Sequence, residues 1–366
     1  VYVSSHTFAN AAGVRKAEVF IWSGSASTDS GIASAQLAAK RVLRESGASA
    51  PVTIRQGYET SPFLQALGGV VITRRGAPEG ASKQYILCGR KHLGHIVFDE
   101  VDFGVQSLCA GFTYIISYPV TVHRTKLYLW KGSAWSTEEI GAARLVGMDL
   151  SESGEMIEVD HGAEFPSFLK IFGADTEKTS ISKSTHTWDC KAQALDGYFP
   201  SLFRVQQIEQ KVGYFSGLFR RPSWQSRSPS PSPIREDTKM ELKRIIPFTQ
   251  QDLEAEGIYI LNAYGQIFVL YGPLFPSQTT NARNTMLGYA LLSASNIAKN
   301  RFVETAPRAL VLTAGIPQEF KMLFRHWDEG RGLWGTGGLM AGSLAHGGAE
   351  VTTMPLDVVT EAVCLR

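Results

Sequence analysis

The 366-residue chain carries 36 Lys and Arg against 34 Asp and Glu, a formal charge of +2. Its 44% hydrophobic and 19% charged residues exclude wholesale disorder and leave apolar sequence for two or three domains. The near-neutral balance argues against a dedicated nucleic-acid binder, and no run of 18 uncharged apolar residues marks a membrane span.

Val1-Tyr2-Val3 opens directly in a strand-like segment, which reads as a cut edge of a longer chain. Phe20-Ile21-Trp22 is an apolar strand run that ends at Gly24, and Thr28 is a candidate helix cap. Ile32, Ala35, Ala39 and Val42 then recur at steps of three and four, predicting a helix over 28–46. Its opposite face carries Lys40, Arg41 and Arg44. A β-branched strand follows at Pro51–Arg55, and Gly57-Tyr58-Glu59 leads into a short helix.

The same order returns downstream. Tyr128-Leu129-Trp130-Lys131-Gly132-Ser133-Ala134 repeats Phe20-Ile21-Trp22-Ser23-Gly24-Ser25-Ala26, and Gly162-Ala163-Glu164 repeats Gly57-Tyr58-Glu59. Between them lie a second predicted helix over 136–150 and a strand at Met156–Val159. A third copy runs through Phe268–Gly272, a helix over 280–299 with Leu287, Ala290, Leu291, Ala294 and Ile297 on one stripe, a strand at Ala309–Thr313, and Gly315-Ile316-Pro317. Two motifs recurring in one order at nearly equal offsets make an internal repeat. A Ser/Pro/Arg tract at Arg221–Pro233 separates strand-like Phe203–Val205 from Leu242–Ile246 and cannot build a core. Cys88, Cys109, Cys190 and Cys364 show no CxxC spacing, and the eight histidines do not cluster. Idle reduced thiols and no structural metal are expected.

A strand ending in Trp-x-Gly-x-x-Ser, then a long helix, a strand and a Gly-x-Glu turn before a short helix, resembles the repeats of the gelsolin/villin superfamily. Tyr85–Lys91, Val101–Gly111 and Thr113–Ile116 are similar to the strands of that family's second repeat. The resemblance implies an α+β fold of three gelsolin-like repeats, each a central mixed sheet between one long and one short helix. It implies repeats at 1–76 and 77–174, a linker at 175–196, and a third repeat at 197–329 that contains the insert at 221–239. A Gly-rich tail would fill 330–366. The first repeat lacks a counterpart of Gln84–Leu108, so one edge of its sheet is expected to be unpaired.

The resemblance also implies where calcium ligands would stand: a carbonyl and an Asp after a Gly at a strand start, and a Glu on the long helix. Phe112 follows Gly111, Ile258 follows Gly257, Thr279 falls at a Glu position, and Gly31 holds the corresponding place in the first repeat. Glu139 alone survives. It reads as a vestigial ligand position and a solvated helix-start charge. No cofactor and no metal are expected. For partner binding the candidates are the pair Arg90-Lys91, extended by Lys126 and Lys131, and then Lys40, Arg41 and Arg44 on the first long helix. Exchange of Arg90 and Lys91 for Glu should then leave the fold intact. No nucleophile or acid–base pair is nominated. The expectation is a monomeric, cytoplasmic, cytoskeleton-associated actin binder that needs no calcium. A scaffold that keeps the fold and binds another protein or phosphoinositide is the alternative.

Overall fold

The computed structural model describes residues 1–76, 80–122, 124–151, 155–173, 181, 191, 198–209, 238–275, 280–300, 308–328 and 352–364. The first unit contains β1 (Tyr2–Ala9), β2 (Arg15–Ser23), α1 (Asp29–Ser46), β3 (Pro51–Arg55) and α2 (Ser61–Ala66). Alternation along β2 sends Val19 and Ile21 to one face, where Ala35 and Ala39 of α1 meet them. Phe20 goes to the other face, against Ile54 and Phe63. The Thr28 hydroxyl accepts from Gly31 N at 3.2 Å and starts α1, and left-handed Gly47 ends it. The three strands run in the order β1-β2-β3, with β1 antiparallel and β3 parallel to β2. Among the described residues no strand lies beyond β1.

The second unit contains β4 (Val70–Thr73), β5 (Tyr85–His92), β6 (His95–Val101), β7 (Thr113–Thr121), β8 (Arg124–Lys131), α3 (Thr137–Leu150), β9 (Met156–Asp160) and α4 (Pro166–Leu169). Its six strands run β4-β6-β5-β7-β8-β9. β4 therefore corrects the expected division at residue 76: it belongs to the second sheet, parallel to β6. The third unit contains β10 (Ser201–Glu209), β11 (Thr238–Ile245), β12 (Ile258–Ala263), β13 (Gln266–Tyr271), α5 (Thr280–Lys299), β14 (Arg308–Ala314), α6 (Gln318–Lys321), β15 (Thr352–Pro355) and α7 (Leu356–Cys364). Its order is β11-β10-β12-β13-β14-β15.

Two further expectations change here. The tail beyond 330 is not all tail, because β15 pairs antiparallel with β14 and Leu356 joins the core beneath α5. The expected insert at 221–239 ends within β11, which pairs antiparallel with β10. The rest of that insert, most of the linker at 175–196 and Leu333–Gly338 lie outside the described residues. The described residues are thus α+β, with three separate mixed sheets and a parallel β-α-β step in each: β2/β3, β8/β9 and β13/β14. The long helices α1, α3 and α5 fall within the ranges expected for them, 28–46, 136–150 and 280–299. No described helix is long and apolar enough to cross a membrane.

Hydrogen bonds explain why the motifs recur. Trp22 Nε1 donates to Glu59 Oε1 and Trp130 Nε1 to Glu164 Oε1, both at 2.8 Å, and each carboxylate also accepts the N–H of its own turn glycine, Gly57 or Gly162. A buried indole N–H needs an acceptor, so Trp and Gly-x-Glu travel together. In the third unit Leu270 replaces the Trp and Gly315-Ile316-Pro317 lacks the Glu, so donor and acceptor are lost as a pair. At the start of β7 and β12, Tyr114 and Tyr259 each accept a loop N–H five residues back, from Cys109 and Glu254. Tyr114 faces Trp130 and Tyr259 faces Leu270. That register corrects the earlier alignment: Phe112 corresponds to Gly257, not to Ile258. Gly132 N and Gly272 N donate to the carbonyls of those two residues. A Cβ on Gly132 would lie 2.3 Å from Ala110 O, and one on Gly272 2.0 Å from Ala255 O, so close backbone approach fixes glycine at both places.

The second and third units share one continuous core. Trp130, Tyr114 and Phe168 from one side join Phe268, Phe320, Phe324 and Trp327 from the other. The segment after α6 thus lies between units, where the charged groups described next also meet.

Candidate functional site

Residues Met322–Asp328 are held by all three units. Arg325 Nε and Nη2 donate to the two oxygens of Asp99, both at 2.9 Å, and Nη1 donates to Glu59 Oε2 at 2.8 Å. Arg90 Nη1 donates to Met322 O at 2.6 Å and Phe324 O at 3.0 Å. Arg75 reaches Trp327 O, Gln250 exchanges two hydrogen bonds with Asp328, and Tyr58 bridges to Thr249 and Asp252. Charge balance explains why this can be buried: two guanidinium groups face two carboxylates, in the forked geometry that suits Arg.

The titrations follow from that arrangement. Burial pushes the Asp99 carboxyl up, but Arg325, His326 and Arg90 together hold it far below the usual carboxylate range. Burial lowers Arg325, and Asp99 and Glu59 more than restore it. His92 is held down to about 3, first by burial and then by Arg325. His326 Nε2 lies 3.3 Å from Asp99 Oδ1, and burial, ahead of that carboxylate, lowers the pKa of the ring. Burial also raises the thiols of Cys88 and Cys109, which makes them inert.

Beside this junction, between the second and third units, is a cavity of about 100 Å³ lined by Arg90, Phe112, Glu139, Lys191, Arg244 and Arg325 among others. At one wall Ser136 and Glu139 form a capping box at the start of α3, with Ser136 N donating to Glu139 Oε2 at 2.9 Å. Lys191 Nζ donates to Glu139 Oε1 at 2.8 Å, to Oε2 at 3.0 Å and to Gly111 O at 2.6 Å. Among the described residues no group of three or more His, Cys, Asp or Glu could hold a metal ion. The oxygens expected for calcium already surround an ammonium, and Phe112 offers a ring where a carboxylate would be required, so these residues do not fit that ion.

The expected site residues separate accordingly. Arg90 is 5% exposed, so its place on a partner-binding surface is corrected: it is an interior residue between units. Glu139, at 1%, is not a solvated charge. Lys91 sits at the rim and donates to Glu138 at 2.9 Å, and Lys131 is paired with Glu158 and Asp160. Lys126, Lys40, Arg41 and Arg44 are exposed, and Arg41 pairs with Glu45 one turn on. Thus the basic residues do not gather into one stripe. The junction of Arg325 with Asp99 and Glu59 was not found from the sequence, because Arg325 lies more than two hundred residues from either carboxylate. The burial of Arg90 did leave a signal. Successive strand residues face opposite ways, so Arg90 and Lys91 could not both face solvent on a strand buried on both sides.

Residues 1–75 match the family described as a domain of unknown function, DUF7904. Among solved structures the chain is similar to a chain of the crystal structure of the Thorarchaeota 2DGel3/rabbit actin complex, at 18% sequence identity. That match covers 66% of this chain and 100% of the other, with a TM-score of 0.21, a superposition too loose to carry an argument about fold or partner.

Proposed function

We propose that this is a non-catalytic actin-binding protein of gelsolin-like repeats, acting in the cytoplasm without calcium, and that it binds through the outward faces of its long helices. One observation supports this above the rest. Leu37 of α1 and Leu145 of α3 occupy the same repeat position, and they are 67% and 63% exposed. Large apolar side chains at matched places on two amphipathic helices suit an apolar cleft on a partner. Met148 adds to the face of α3, while α5 is packed by α7 and is the less available helix. The resemblance of the Trp-Gly and Gly-x-Glu motifs to gelsolin/villin repeats supplies the identity of the partner. Capping and side binding of filaments both remain within this proposal, whereas a phosphoinositide site on Arg90-Lys91 has lost its basis with the burial of Arg90.

Co-sedimentation with filamentous actin, with calcium and with a chelator, tests it. The wild-type chain should pellet equally in both. Leu37→Asp and Leu145→Asp should each weaken binding about tenfold, as central apolar contacts do, while changing stability by about 0.5 kcal/mol or less. Pelleting that is absent, or that both variants share fully, contradicts the proposal.

A further inference from the structure

We propose that the Lys191 ammonium is a tethered cation standing where a metal ion would otherwise sit at the start of α3. Lys191 is then fastened to the second unit at a strength that calcium does not change. This rests on the calcium-free part of the reading above, not on the identity of the partner.

The surroundings of Nζ carry the inference. One backbone carbonyl and both oxygens of one carboxylate converge on it within 3.0 Å, an oxygen-only cluster of the kind a hard cation takes. The cluster is built rather than fortuitous. Glu139 is aimed by its capping box, and the carbonyls on either side of Gly111 are pinned, Ala110 O by Ala134 N and Phe112 O by Gly132 N. The Lys191 side chain is 8% exposed, and a carboxylate as deeply buried as Glu139 requires a positive partner.

Valence then distinguishes ammonium from metal. One carboxylate balances one ammonium, whereas a divalent ion would leave excess positive charge beside the buried Arg90 guanidinium. Phe112 completes the selection: its ring centroid lies 5.0 Å from Lys191 Nζ and 5.3 Å from Arg90 Cζ. A ring face attracts organic cations but offers no lone pair to replace a metal's water shell. The same substitution that removes a calcium ligand thus makes the place better for lysine.

The test compares the wild-type chain with Lys191→Ala, Lys191→Ala/Glu139→Gln and Lys191→Ala/Phe112→Asp, using calorimetric calcium titration and thermal midpoints in millimolar calcium and in chelator. The wild type should give no binding heat and one midpoint in both solutions. Lys191→Ala should melt several degrees lower by stranding Glu139, and adding Glu139→Gln should recover most of that loss. Lys191→Ala/Phe112→Asp should bind calcium and melt higher in its presence. Calcium binding by the wild type, an unchanged midpoint for Lys191→Ala, or a folded Phe112→Asp variant that takes no calcium would each overturn the proposal. If that last variant does not fold, the recovery by Glu139→Gln decides. Failure of the wild type to pellet with actin would leave all of these results standing.

Discussion

Trp22 and Trp130 occupy the same place in the repeat, and each indole donates to the carboxylate of a Gly-x-Glu turn at the same distance. Their surroundings differ. Trp130 is fully buried in a six-stranded sheet that shares its core with the third unit, whereas Trp22 is half-buried in a three-stranded sheet. The acceptors differ as well. Both oxygens of Glu164 are used within its own turn, while the second oxygen of Glu59 takes Arg325 from the far end of the chain. The comparison teaches that a short motif can set local geometry without supplying stability. The second unit has six strands and a core shared with the third, so the three-stranded first unit should depend more on the ionic junction.

The strongest way to break that contrast is Arg325→Leu. It leaves Asp99 and Glu59 buried without their partner, a situation that costs about 3–5 kcal/mol. Chemical denaturation should register the loss. Hydrogen exchange should rise first in β2 and β3 and least in β7 and β8; equal acceleration in both units would remove the proposed dependence. Arg90→Glu should follow closely, at roughly 3 kcal/mol, because it sets a carboxylate beside two carbonyls and near Asp99. Lys91→Glu, one residue on, should stay within about 0.5 kcal/mol. The earlier expectation that both exchanges are harmless thus divides into one that is not and one that is.

Acid should loosen the junction before the carboxylates titrate. His92 has its folded pKa lowered from 6.5 to about 3, so as pH falls below 6.5 the unfolded chain takes a proton that the folded chain refuses. Stability is therefore lost between pH 6.5 and about 3, by roughly 2 kcal/mol at about pH 5. Burial lowers His326 and adds in the same direction. Asp99, with its pKa depressed, contributes stability above its unfolded value near 3.8 and loses it on further acidification. Denaturation midpoints across this range check the sign, and His92→Phe should flatten the slope. The contrast between the two indoles is smaller than the losses at Arg325 and Arg90: Trp130→Phe should cost about 2 kcal/mol and Trp22→Phe about 1 kcal/mol, because Glu59 keeps Arg325 when its indole donor is gone.

Much of the fold was legible because it is local. The stripe Ile32, Ala35, Ala39, Val42 and the cap Thr28 mark α1, and Ser136 with Glu139 three residues on is the sequence mark of a capped helix. The same capping mark fixes Glu139 at the helix start, although not how deeply it is buried. What escaped was tertiary. Four residues of β4 read equally well as the end of one sheet or the edge of the next, and only the pairing with β6 decides. β15 and α7 follow a Gly-rich stretch that hides them. The Lys191 side chain has no local signal at all, since its partners are 52 and 80 residues away. The third-unit register was recoverable: aligning Tyr259 with Tyr114 puts Gly257 opposite Phe112.

The proposed actin-binding surface is tested most directly by hydrogen exchange of the chain alone and with filamentous actin, in calcium and in chelator. Protection confined to α1 and α3, spanning Leu37 and Leu145 and alike in both solutions, is the predicted result. Protection centred on Lys126 and Lys131 instead, dependence on calcium, or no protection at saturating actin would contradict it.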